Sequence, residues 1–289
     1  MMKLQTIVEF APGTLKISPD DRIMVLGSCF ADSIGEKMQH AGFNVCVNPF
    51  GTLYNPVSIA ASISRLHSGL PFTESECVEM GAGAGLVCSY SHHTSFARET
   101  AEEFLACANS AFEDACSQWE RCDKVIITLG TIFCYVHDGV VVSNCLKRPA
   151  GEFERVEMTL EQVTEILRSI VFNNPGKDFI FTVSPIRHLA DGAHMGQISK
   201  STLLLGVDAL LRDEIVGNRC EYFPAYEIVM DELRDYRFYA EDMTHPTAQT
   251  TSYIWERFLE YAVTEQDREK VAAAEKKWRQ SQHRPILHK

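Results

Sequence analysis

Short apolar runs alternate with stretches of helical periodicity along most of the chain. Ile23-Met24-Val25-Leu26 is a continuous apolar run closed by Gly27, the pattern of a strand buried on both faces. Asp32 to His40 then carries a helical pattern that Gly42 stops, and Asn44 to Val47 predicts a second strand. Asn55-Pro56 opens a helix to about His67, with Asn as cap and Pro in the first turn. Thr100 and Glu103 have capping-box spacing and predict a helix to about Trp119. Val125 to Leu129 predicts a third strand, closed by Gly130. A hairpin follows, Tyr135 to His137 and Val140 to Val142, around the turn Asp138-Gly139. Thr159 and Gln162 start another helix, Phe179 to Val183 forms a fourth strand, and Ser199 to about Val216 is helical. Glu221 to Phe223 predicts a fifth strand, Thr247 to Tyr261 a helix, and a charged helix runs on to about Gln282.

Strands alternating with helices predict an α/β fold with helices on both faces of a mostly parallel sheet. The expectation is one three-layer α/β/α domain over residues 1–262, with insertions at about 70–98 and 131–158. A charged helix and tail make up residues 263–289. A chain of 289 residues has ample length for a hydrophobic core of this kind.

Charge removes several function classes. The net charge of −12 opposes sequence-independent binding to nucleic acid and attraction to anionic membrane surfaces. No apolar run reaches the ~20 residues of a membrane span. Met1 to Phe10 holds one lysine and no apolar core of a signal peptide, so the expected location is cytoplasmic. The ten cysteines include no C-x-x-C pair. No set of three ligands has metal-site spacing, and neither a metal nor another cofactor is expected.

Ligands of open α/β sheets bind beyond the carboxyl ends of the strands. The turns there are Gly27-Ser28-Cys29, Asn48-Pro49-Phe50-Gly51, Gly130-Thr131 and Ser184-Pro185-Ile186-Arg187-His188. Ser28 leads straight into a helix, which suits a nucleophile whose adduct develops an oxyanion, although on position alone a plain N-cap is the commoner role of such a serine. Cys29 is the rival nucleophile at the same helix start. Asp242 stands three residues before His245, a spacing that lets the carboxylate accept from Nδ1–H and leaves Nε2 as a base. Thr131, Arg187, His188 and His93 are candidate cleft residues, and His92 and His93 are candidates for part of a lid.

Gly27-Ser28-Cys29-Phe30-Ala31 resembles the name-giving motif of the GSCFA family. The likeness extends through Asn48 to Gly51, Asn144-Cys145, Phe181 to His188, Tyr222 to Glu227 and Arg234 to Pro246. That family in turn looks like a branch of the SGNH (GDSL-like) hydrolases, which implies a five-stranded flavodoxin-like sheet. The resemblance casts Ser28 as nucleophile, His245 as general base, Asp242 as the acid that orients it and Gly51 as an oxyanion-hole residue. The asparagine of the third SGNH block is missing after Gly130. Asn144 is the favoured substitute and Thr131 the other. The expected activity is a serine esterase acting on a small-molecule or carbohydrate ester through an acyl-enzyme. An acyltransferase on the same triad and a non-catalytic ligand-binding module are the alternatives.

Overall fold

The computed structural model describes residues 6–282. Five strands form the central sheet: β1 (Arg22–Gly27), β2 (Asn44–Val47), β5 (Lys124–Leu129), β9 (Asp178–Val183) and β10 (Cys220–Tyr222). Their spatial order is β10-β9-β5-β1-β2, and every pairing is parallel. This is the flavodoxin-like order, with the switch point between β1 and β5. Strand residues alternate between the two faces. Met24, Leu26, Val125, Ile127, Phe179 and Phe181 pack on one core. Ile23, Val25, Ile126 and Ile180 pack on the other.

The first core is covered by α2 (Pro56–Ser68), α3 (Ala101–Arg121), α4 (Leu160–Phe172) and α5 (Gly192–Leu211). The second is covered by α1 (Cys29–His40), the short α6 (Ala225–Glu227) with the π-helical turn after it, and α7 (Ala248–Ala262). Helix α8 (Glu265–Gln282) buries Val271 and stacks Trp278 on His40 at 3.6 Å. The expected tail beyond residue 282 lies outside the described residues.

Local chemistry sets the element ends. Ser28, Asn55, Thr100 and Thr159 each accept a backbone N–H at the start of a helix. The capping box is complete at Thr159 and Gln162, whereas Thr100 makes only the serine/threonine half. Asp138 and Gly139 both have positive φ, 48° and 77°, as a two-residue hairpin turn requires.

Two insertions carry small sheets of their own. Strands β3 (Val78–Glu79) and β4 (Val87–Cys88) pair in the first. In the second, β6 (Phe133–His137) pairs with β7 (Val140–Val142) and with β8 (Glu154–Glu157). Strand β8 has no counterpart in the sequence pattern, because Glu154-Arg155-Val156-Glu157 is a polar edge strand without an apolar run. Helix α5 begins at Gly192, seven residues before the expected start at Ser199. Gly192 and Gly196 weaken the helical signal of the first turns.

Candidate active site

Ser28 sits at the switch point, between β1 and α1. Gly27 makes the turn possible: its φ is +139°, and a Cβ there would meet the Thr128 carbonyl oxygen at 2.1 Å. Asn48 braces the turn from the next strand. Its Oδ1 accepts the Gly27 N–H at 2.8 Å and its Nδ2 donates to Asp32 at 2.6 Å. Gly130 closes the other side, where a Cβ would lie 3.5 Å from the Ser28 Cβ and 2.8 Å from the Tyr54 carbonyl oxygen. Ser28 is only 1% exposed, and its Oγ accepts from the Phe30 N–H at 3.3 Å.

The Asp-His pair forms on the rim of β9. Asp242 Oδ2 lies 2.6 Å from His245 Nδ1, while Oδ1 accepts the backbone N–H groups of Thr244 and His245 at 2.9 and 3.0 Å. Those backbone donors, with the imidazole behind them, hold the Asp242 carboxyl well below the usual carboxylate range. Met243, with φ of +57°, makes the tight turn between the two residues. Arg187 fastens the loop to the sheet. Its backbone N–H donates to the Thr244 carbonyl at 3.1 Å and its Nη1 to the Met243 carbonyl at 3.1 Å. Its guanidinium also lies over the rings of Tyr236 and Tyr239.

Between the two halves stand His188, Tyr54 and Lys200. The His188 and Tyr54 rings meet edge to face at 6.4 Å. Burial and the nearby Lys200 push the His188 imidazole down to about 4, and its Nε2 is buried without a partner among the described residues. Tyr54 reaches Cys29 Sγ at 3.3 Å and accepts from Thr52 Oγ1 at 3.2 Å. Burial raises its phenol to about 12. Lys200 is buried, donates to the carbonyls of Gly130 at 2.7 Å and Ser184 at 2.8 Å, and burial lowers its ammonium to about 7.

The oxyanion donors that the resemblance implies, Gly51 with Asn144 or Thr131, are not on offer, and neither is the Ser28 N–H beside them. The Ser28 N–H is taken by Thr128 O at 3.2 Å and the Gly51 N–H by Asn48 O at 2.7 Å. Gly51 instead serves close packing: φ is +78°, and a Cβ would sit 2.3 Å from His93 Cβ. Asn144 lies after β7, with its N–H on Tyr90 O and its Oδ1 on the Leu146 N–H. No hydrogen bond among the described residues joins it to the Ser28 turn or the His245 loop. Thr131 is likewise committed, bonding Ser199 Oγ at 3.1 Å and accepting from the Phe133 N–H. The Cys29 N–H, first in α1, has no acceptor among the described residues.

The histidines of the first insertion divide. His93 packs on Gly51, caps the turn Thr94–Phe96, and is near enough to Asp32 to act on its charge. His92 is no lid residue. It is 1% exposed, enclosed by Phe50, Phe72, Phe96 and Phe104, and bonded to Ser89 Oγ at 2.7 Å.

Three residues escaped the sequence reading: Asn48 as a brace, Tyr54 and Lys200. Only Lys200 left a usable signal. It shares a helical spacing with Leu203, Val207 and Leu210, so it falls on the buried face of α5.

The fold and the site together define a three-layer α/β/α protein whose polar strand ends gather at the switch point of a parallel sheet. The chain belongs to the GSCFA family, whose model matches residues 22–258, most of its length. No curated protein and no solved structure matches it. Among the described residues, no helix is long and apolar enough to cross a membrane.

Proposed function

We propose that the protein is a serine ester hydrolase of SGNH type, with Ser28 as nucleophile and His245, oriented by Asp242, as general base. The observation that carries this reading is the Asp242–His245 pair at 2.6 Å, fastened by Arg187 to the same sheet rim that presents Ser28. A carboxylate on Nδ1 fixes the tautomer that leaves Nε2 free to take a proton. Ser28 Oγ leaves its cap on Phe30, gives its proton to His245 and attacks the acyl carbonyl. The tetrahedral oxyanion takes the Cys29 N–H, the unpaired donor at the positive end of α1. Collapse expels the alcohol, protonated by His245, and leaves an acyl-enzyme. Water activated by His245 then releases the acid. An acceptor alcohol in place of that water makes the same machinery an acyltransferase.

The second reading is a ligand-binding module without turnover. It is favoured by Ser28 itself, which is 1% exposed, caps α1 and makes no hydrogen bond to His245. A fluorophosphonate probe read by intact mass separates the two. One adduct on the wild type and none on Ser28→Ala supports the hydrolase. No adduct on the folded wild type supports the binding module.

A further inference from the structure

We propose that the cavity between the end of β9 and the first turns of α5 binds an oxyanion group, a carboxylate or a sulfate, carried by the substrate. The cavity measures about 80 Å³ and is lined by Arg187, His188, Gly192, Gly196, Gln197 and Lys200 among others. That volume suits a single small group. It shares Arg187 and Gln197 with a wider groove of about 290 Å³, walled by Tyr236 and Tyr239, where the rest of such a substrate has room.

The charges in the cavity wall lack a counter-ion. Lys200 is buried and its side chain meets only two carbonyl oxygens among the described residues, so its ammonium form has one of three N–H donors left over. No carboxylate pairs with it or with Arg187 among the described residues, and Lys200 differs from the other lysines without an ion pair in being buried. His188 adds a buried Nε2 with no partner among the described residues. Unpaired buried polar groups are costly, and an anion between Lys200 and the His188 Nε2 satisfies both, with the half-buried Arg187, bonded to the Met243 carbonyl, beside them. Helix α5 adds its dipole: its N-cap, Asp191, makes no side-chain capping bond. The acids near this rim are engaged already: Asp191 by Arg155, Asp242 by His245 and Asp235, in the wider groove, by Arg237.

Binding also moves a proton. His188 faces Lys200, Asp191, His245 and the Gly130 carbonyl, and its ring is held neutral by burial and by Lys200. An anion in the cavity reverses that balance. The ring then takes up a proton, and Nε2–H donates to the anion.

The substrate part of this proposal rests on the ester-hydrolase reading, and the binding part does not. Isothermal titration of the full chain with sodium sulfate, sodium glucuronate and glucose tests the binding, with ionic strength held constant by chloride. The expected result is saturable one-to-one binding of an anion, none of glucose, and proton uptake revealed by buffers of different ionisation heat. The anion that binds tells carboxylate from sulfate. Lys200→Met and His188→Phe each weaken binding about tenfold or more, the scale of one charged hydrogen bond. Arg212→Gln, on the exposed end of α5, leaves it unchanged. If Lys200→Met does not fold, His188→Phe decides alone. Absence of saturable binding overturns the proposal, as does binding that neither variant weakens. For the substrate, hydrolysis of p-nitrophenyl hemisuccinate is compared with that of the acetate, and acetylated glucuronate with acetylated glucose. Preference for an acidic member, lost in His188→Phe, is expected, and no preference in either pair overturns the substrate assignment. Fluorophosphonate labelling of Ser28 reports separately on the hydrolase reading.

Discussion

Asp242 grips His245 at both ends, with Oδ2 on the ring Nδ1 at 2.6 Å and Oδ1 on the backbone N–H at 3.0 Å. One carboxylate therefore sets both the path of the loop and the tautomer of the imidazole. Asn in its place keeps an oxygen for the backbone but turns a donor toward Nδ1. The ring then presents a protonated Nε2, useless as a base. Asp242→Asn is expected to slow fluorophosphonate labelling by about 10³–10⁴. Both side chains are half exposed, so the melting temperature should move by no more than a few degrees. Labelling at the wild-type rate would remove His245 from the base role.

Ser28 holds two jobs that one substitution separates. As a cap it accepts from Phe30, and as a nucleophile it carries the adduct. Ser28→Ala should abolish labelling and cost about 1 kcal/mol of stability from the lost cap. Cys29→Ala should retain labelling, because the proposed contribution of Cys29 is its backbone N–H. A full adduct on Ser28→Ala that vanishes in Cys29→Ala would transfer the nucleophile to the thiol.

The central sheet was legible because its inner strands β1, β5 and β9 are buried on both faces and read as nearly unbroken apolar runs, while the edge strands β2 and β10 are short and only partly buried. The Asp242–His245 pairing was legible because three residues of spacing leave a short turn little else to do. The oxyanion donors were not, since they depend on which backbone N–H groups the turns consume. Gly51 has the conformation that only glycine adopts easily, yet its N–H closes the Asn48 turn and its missing Cβ makes room for His93. Asn144 shows the same limit: its position after the hairpin said nothing about Leu146 claiming its Oδ1. Tyr54 reaches Cys29 through tertiary packing that no local pattern records.

Two glycines with similar backbones give a test of that packing. Gly51 and Gly69 have φ of +78° and +61°, but a Cβ meets His93 at 2.3 Å in the first and nothing within 4 Å in the second. Gly69→Ala bears backbone strain alone, on the order of 1 kcal/mol. Gly51→Ala bears strain plus overpacking and should cost about 1–3 kcal/mol more, read from urea midpoints. Equal losses would mean that His93 yields freely and does not fix the β2 rim.

Acid should weaken the protein through a histidine outside the site. Four phenylalanines enclose His92, and desolvation pushes its imidazole down to about 4 from an ordinary value near 6.5. Between those values the unfolded chain binds a proton that the folded chain refuses. Stability therefore rises with pH from about 4 to 6.5, and the neutral ring carries no penalty above that window. The shift corresponds to about 3 kcal/mol lost on acidification through it. His92→Phe keeps an aromatic ring in the cluster and removes the titration. Urea melts at pH 7, 5.5 and 4 should show the wild type losing more stability than the variant across the window, by about that amount. Parallel curves would mean that the ring gains water or a counter-charge on acidification, and that the Phe50–Phe72–Phe104 cluster opens to admit it.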